Sequence, residues 1–140
     1  MNLTSCNAKS FITIMIVIAV ASVSLRFGLE HLIKFSIKQN ESNALSTLKL
    51  VSAAIEKYAK DHKSLFPDNI NKLVDAEPYY LDKDYTGQSF LRGYNFNCNR
   101  LDESGYSCNA RPIICRVSGN TVYSVSTGGV IKTENCYKKE

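Results

Sequence analysis

The sequence predicts an α+β domain carried on a long N-terminal helix, and three observations predict it. An apolar run from Phe11 to Leu25 passes, without proline or a turn cluster, into a helical pattern that continues to about His62. Short segments with strand-like alternation follow one another in the second half of the chain. Four of the five cysteines, Cys98, Cys108, Cys115 and Cys136, fall in the last third. Helix first and a small antiparallel sheet of three or four strands second is an α+β order, in which the sheet buries one face against the helix.

The apolar run is the first element to justify. Fifteen residues rise only about 22 Å at 1.5 Å each, short of the roughly 20 residues that a bilayer core requires. The flanks supply the missing length. Arg26 and His31 can snorkel while Phe27, Leu29, Leu32, Ile33 and Phe35 keep the helix apolar for two more turns. The span expected is Ser10 to Ile33, with Arg26 and Glu30 at its far interface or paired with a neighbouring subunit's helix, since either charge buried in lipid would cost several kcal/mol. Ala19 to Ser24 offers small residues for a signal-peptide cut, but no turn-forming break separates the run from the downstream helix, so it is expected to stay attached. Leu3-Thr4-Ser5-Cys6 spells a lipoprotein box with no hydrophobic stretch before it, and Cys6 is read as a cytoplasmic thiol.

Beyond the membrane, Ala44, Leu48, Val51, Ile55, Tyr58 and His62 recur at steps of four and three, with Lys49, Glu56, Lys57 and Lys60 turned outward. That is an amphipathic helix packed on one face. Gln39 to Asn43 interrupts the apolar pattern and is a place for a kink, although without Gly or Pro it need not end the helix. The stop comes between His62 and Pro67, where proline cannot continue the ladder.

Pro67 to Val74 reads as a short helix with Ile70, Leu73 and Val74 inward, and Glu77 to Tyr85 as an irregular connection. Tyr94–Cys98 and Tyr106–Ala110 alternate and are joined by a loop from Asn99 to Gly105. Thr121–Ser126 alternates too, and Thr127-Gly128-Gly129 turns the chain into a last strand at Val130–Lys132. The tyrosines Tyr79, Tyr80, Tyr85, Tyr94, Tyr106 and Tyr123 are candidates for the sheet–helix core, with hydroxyls at its edge, or for a contact surface.

Residues 1–10 thus form a short cytoplasmic leader-like segment, 11–35 the transmembrane part of the helix and 36–140 one extracytoplasmic domain. An even set of cysteines in a small domain implies two disulfides and an oxidising compartment. Of three possible pairings, Cys98–Cys108 would close the hairpin and Cys115–Cys136 would pin the C-terminal strands. Only Lys9 and the amino terminus precede the span, whereas Arg26, Lys34 and Lys38 follow it, so charge bias opposes this orientation. The cysteines and the short N-terminal tail outweigh it.

The net charge is +4 with acidic and basic residues interspersed, which gives little footing for nucleic-acid binding. No enzyme pattern is present: His31 and His62 are too far apart along a helix to share a site, and His62 fits a capping role near a helix C-terminus. Gly128-Gly129 lacks the strand-to-helix setting of a phosphate loop. No catalytic or cofactor-binding residues are expected.

Asn40-Glu41, Ala44, Leu48, the helix through Tyr58, Phe66-Pro67 after it, and Tyr85 through Gly93-Tyr94 to Thr127-Gly128-Gly129 resemble, in order and spacing, type IV pilin-like proteins and the pseudopilins of type II secretion systems. The resemblance covers about Phe11 to Ile131. It implies a structural subunit of a pilus or pseudopilus, held in a bacterial inner membrane by a single pass with the N-terminus cytoplasmic and the domain periplasmic or extracellular. Implied partners are sister subunits, an inner-membrane assembly platform and a prepilin peptidase. Such chains are cut after a glycine, before a phenylalanine followed four residues later by glutamate. Here Ser10 stands at the glycine, Phe11 at the phenylalanine and Met15 at the glutamate. Cleavage between Ser10 and Phe11 is therefore the candidate processing step, and the loss of the glutamate points to a minor, tip-like subunit or a chain that does not polymerise.

Major pseudopilins bind calcium in a C-terminal loop, and Asp82, Asp84, Asp102 and Glu103 are the acids to consider, although their spacing is not an EF-hand and suits a solvated loop better. The alternative function is a non-polymerising, membrane-anchored binding module for a protein or DNA partner, with Arg92, Arg100, Arg111 and Arg116 as its basic face.

Overall fold

The computed structural model describes residues 4–87 and 91–137, and the side chains from 11 onward within these. The chain divides into two units, Met1–Phe35 and Ser36–Glu140. Six elements run α1 (Thr4–Asp61), α2 (Asn71–Val74), β1 (Tyr94–Asp102), β2 (Gly105–Pro112), β3 (Thr121–Ser126) and β4 (Val130–Asn135). The four strands form one antiparallel sheet in the order β1-β2-β3-β4, with every neighbour also a neighbour in sequence. The fold is the expected α+β arrangement, a long helix against a small antiparallel sheet.

In the second unit the core is built between one stripe of α1 and one face of the sheet. Ala44, Leu48, Val51, Ala54 and Ile55 from the helix pack with Tyr94, Phe96, Tyr106, Cys108, Ala110, Tyr123 and Val125 from the strands. The register explains which strand residues take part: Phe96 lies opposite Ala110 and Ala110 opposite Tyr123, while Cys108 lies between Cys98 and Val125. Period-two alternation in each strand then puts one continuous row against the helix. Ile70, Leu73 and Leu81 close one end of this core. Full burial of a side chain such as Leu48 or Ile55 is worth about 1.5–3 kcal/mol. The ion pairs found among the described residues, Lys72–Asp68 and Arg100–Asp102, lie on the exposed surface and contribute little beside that.

The helix stops where expected, and Lys63 and Ser64 supply the left-handed backbone of the stop, with φ of 57° and 67°. The Ser64 amide donates back to the Ala59 carbonyl at 2.7 Å, satisfying one of the last orphan acceptors. Phe66 then lies against the Tyr106 ring, 5.7 Å between centroids, and its amide donates to the Glu103 carbonyl. The aromatic-proline segment thereby ties the helix end to the β1–β2 turn.

α1 runs unbroken through Gln39–Asn43, as the absence of Gly and Pro allowed. Other boundaries differ from the sequence reading. The short helix keeps only Asn71–Val74, with Ile70 and Leu73 buried and Val74 half-buried. The expected loop from Asn99 to Gly105 is mostly strand: β1 continues to Asp102 and β2 begins at Gly105. A bulge between Cys98 and Arg100 shifts the register there, breaking the alternation that would have signalled the longer strand. β4 reaches Asn135 as an edge strand with nearly every side chain exposed, so no apolar alternation marks its end.

Two disulfides are formed, Cys98–Cys108 between directly opposed residues of β1 and β2, and Cys115–Cys136 between the loop before β3 and the residue after β4. This is the pairing favoured from chain order. The β3–β4 turn places Gly128 and Gly129 at φ of 82° and 70°, a conformation that only residues without a Cβ adopt at ease. Close packing also fixes Gly119, where an added Cβ would collide with the Tyr94 ring.

Of the six tyrosines proposed for the core, Tyr94, Tyr106 and Tyr123 are buried. Tyr80 and Tyr85 are half-buried, and Tyr79 is a surface residue at 68% exposure. Burial raises the hydroxyl pKa of all three core tyrosines, with Glu41 adding to the effect at Tyr94 and Tyr123. A group held neutral in the fold stabilises it fully below the unfolded pKa of about 10, and that stability is lost as pH rises toward the raised folded value. Tyr80 and Tyr85 are raised as well, by partial desolvation and their hydrogen bonds to Asp61 and Asp82. In an alkaline titration followed by near-ultraviolet tyrosinate absorbance, the buried Tyr94, Tyr106 and Tyr123 should therefore stay protonated above pH ~10 and ionise together with loss of the fold.

Candidate functional site

The first unit is the part of the molecule whose surface needs a partner. From Phe11 to Phe35 every residue of α1 is exposed, among them Phe11, Ile12, Ile14, Met15, Ile16, Val17, Ile18, Val20, Val23 and Leu25. Mean hydropathy over its most apolar window is 2.2, and the helix is long and apolar enough to cross a membrane. Water is a poor solvent for such a surface, because a contiguous apolar area of this size exceeds what soluble monomers expose. The backbone is satisfied by the helix itself, as hydrocarbon demands. Ser22 and Ser24 donate their hydroxyls to the Ile18 and Val20 carbonyls at 2.8 and 2.9 Å, so both of these polar side chains are satisfied within the helix.

Arg26 and Glu30 have no such internal solution. They share a face, one turn apart, yet among the described residues neither forms an ion pair. Arg N-terminal to Glu is the less favourable order for an i,i+4 pair on a helix. Of the processing residues, Phe11 and Met15 are exposed side chains of α1. Ser10 lies within the helix, its side chain outside the described residues.

In the second unit, polar residues of α1 tether the loops and turns of the sheet. Asn40 donates to the Ser118 carbonyl at 3.1 Å, and Glu41 accepts from the Asn120 amide at 2.8 Å. About three turns further on, Ser52 and Tyr106 share a buried hydrogen bond of 2.8 Å. Glu56 accepts from the Tyr106 hydroxyl at 2.9 Å and from the Gly128 amide at 2.7 Å. Glu56, read as an outward-facing solubilising residue, is thus a strut between the helix and the β3–β4 turn. The Asn40-Glu41 pair that seemed to disturb the helix holds the loop before β3. Their partners lie 50 to 79 residues away in sequence, so no local pattern announces these roles.

The residues weighed for chemistry are dispersed or already engaged. His62 caps the helix end, its Nδ1 2.9 Å from the Tyr58 carbonyl and its ring stacked on Tyr58 at 4.0 Å. Asp82 accepts from the Tyr85 hydroxyl, and Asp84 accepts from the amide and hydroxyl of Thr86. Asp102 accepts from Arg100 and Ser104, which hold its carboxyl well below the usual carboxylate range. Glu103 offers its carbonyl to Phe66. Among the described residues no three His, Cys, Asp or Glu side chains gather closely enough for a metal ion, so the four acids weighed for calcium do not converge.

The four arginines have four different surroundings. Arg100 is paired with Asp102, and Arg116 lies over the Tyr137 ring at 4.3 Å. Arg92 borders a groove with Asn43 and Lys83. Arg111 stands with Asn95, Asn97, Asn99 and Asn109 on the outer face of the sheet, along a shallow groove of about 330 Å³. Searches against protein-family models, curated proteins and solved structures gave no match for this chain.

Every member of the buried core cluster lies at or beyond Ala44, within the second unit. Residues 36–140, made without the anchor under oxidising conditions, should remain in solution without detergent and unfold in one cooperative step. Circular dichroism melting and sedimentation check this; the full chain should instead require detergent or a bilayer.

Proposed function

We propose that this chain is a structural subunit, of the pilin-like kind, that waits in a bilayer and assembles through its N-terminal helix into a filament of a type IV pilus or type II secretion pseudopilus. The observation that carries the reading is the division of labour within α1. The stripe Ala44, Leu48, Val51, Ala54 and Ile55 is buried with the sheet residues, whereas 11–35 are exposed throughout. An apolar helix of that kind has two equivalent environments, lipid and a bundle of like helices. Lipid tails are as apolar as leucine, so moving from one to the other carries little hydrophobic cost, and packing and polar contacts decide.

The disulfides support an orientation with the domain in an oxidising space and the N-terminus cytoplasmic. The partners that follow are sister subunits, an inner-membrane assembly platform with its cytoplasmic energy source, and a prepilin peptidase if the leader is removed. The alternative, a non-polymerising membrane-anchored module, keeps a protein partner as its better form. The arginines that would have served DNA are separated, with Arg100 neutralised by Asp102.

Mass spectrometry of the mature chain from a cell with the assembly system tests the route of entry. An N-terminus at Phe11 is expected; an intact Met1 would remove the processing step and leave the non-polymerising module. Since Met15 occupies the position where a carboxylate would offset the amine of an adjacent subunit, Met15→Glu should raise incorporation into filaments severalfold, read by immunoblot of sheared fibres.

A further inference from the structure

The charges on the anchor helix carry one inference that deepens the proposed assembly and rests on it. Arg26, Glu30 and Lys34 recur every four residues, and on an α-helix that spacing keeps them on one face with a drift of about 40° per step. All three are exposed, and among the described residues none forms an ion pair. With Phe11 at one edge of a hydrocarbon layer of about 30 Å, Arg26 stands about 22 Å along the helix, still inside the apolar region. Glu30 then reaches the far boundary. The row therefore begins where an unpaired charge is costly and ends where water is available.

We propose that this row is the docking surface for a second copy of the chain, and that it sets the register between parallel anchor helices at a shift of four residues. Copies inserted with the same topology are parallel. Side by side at zero shift, Arg26 meets Arg26, Glu30 meets Glu30 and Lys34 meets Lys34, which is repulsive throughout. A shift of eight residues sets Arg26 against Lys34. A shift of four, about 6 Å along the axis, brings Arg26 level with Glu30 of the next copy and Glu30 level with its Lys34.

Two attractive pairs then replace three repulsive ones. Lys34 would meet the next copy's Lys38, but that contact lies in water, where it is screened. Such a contact sets different residues of the two copies against each other, so it is heterologous and not a two-fold dimer. Charge complementarity thus favours a staggered pairing in a chain that has methionine at position 15.

Cysteine cross-linking of the full chain in native membranes, in a Cys6→Ser background, tests this. Leu29 and Ile33 flank the charged row and are four residues apart. Mixed Leu29→Cys and Ile33→Cys copies should cross-link in preference to Leu29→Cys copies with each other. Glu30→Lys should abolish that preference while carbonate extraction shows the protein still embedded. The triple reversal R26E/E30K/K34E restores the alternation with opposite sign and should restore the staggered product.

Assembly that gives the level Leu29 product, or that ignores both charge variants, overturns the register and leaves self-association intact. Failure of any anchor position to cross-link, scanned from Val17 to Phe35, overturns both the register and the assembly through the helix.

Discussion

The globular unit depends on one interface, the burial of the Ala44, Leu48, Val51 and Ile55 stripe of α1 against the inner face of the sheet. A four-stranded antiparallel sheet of this size has one apolar face and no second layer of its own. The helix supplies that layer, and the sheet in turn buries the Ala44 to Ile55 stripe of the helix. Everything placed around the interface serves to hold it. Asn40 and Glu41 secure one end through Ser118 and Asn120, while Ser52 and Glu56 secure the other through Tyr106 and Gly128. The disulfides hold β1 to β2, and the start of the β2–β3 loop to the end of β4, so the sheet keeps its shape without a larger core.

The same helix carries an opposite condition over 11–35, where every residue is exposed. Core-forming and anchor segments are alike in hydrophobicity but not in arrangement. Over 44–59 the apolar residues form a stripe beside Lys49, Lys57 and Lys60, whereas over 11–25 they surround the helix. A stripe fits a sheet; an all-round surface fits lipid or a bundle. Arg26, Glu30 and Lys34 mark the change from one regime to the other.

Much of this was legible in the sequence where the signal is local and repeated. The steps of four and three from Ala44 to Ile55, the alternation at Tyr94 to Cys98 and Thr121 to Ser126, and the Gly128-Gly129 turn each report their surroundings directly. What stayed hidden depends on distant partners or on broken periodicity. Glu56 looks like any solvated glutamate until the β3–β4 turn is brought onto it. The bulge at Cys98 to Arg100 conceals the second half of β1, and β4 lies exposed at the sheet edge with no apolar face to betray its length. Asn40 and Glu41 read as a weakness in the helix because their service to the loop before β3 requires the fold. The anchor surface itself was plain from composition, but its charged row gains meaning only when Arg26 and Glu30 are found without an ion pair among the described residues.

Hydrogen exchange of the full chain in a bilayer, followed through a denaturant series, tests the division of α1 most directly. Amides of Ala44 to Ala59 should lose protection at the same denaturant concentration as those of β1, β2 and β3, while Ile14 to Leu25 stay protected beyond it. Exchange of Ala44 to Ala59 well before the sheet strands, or loss of protection in both parts of the helix together with the sheet, would contradict it.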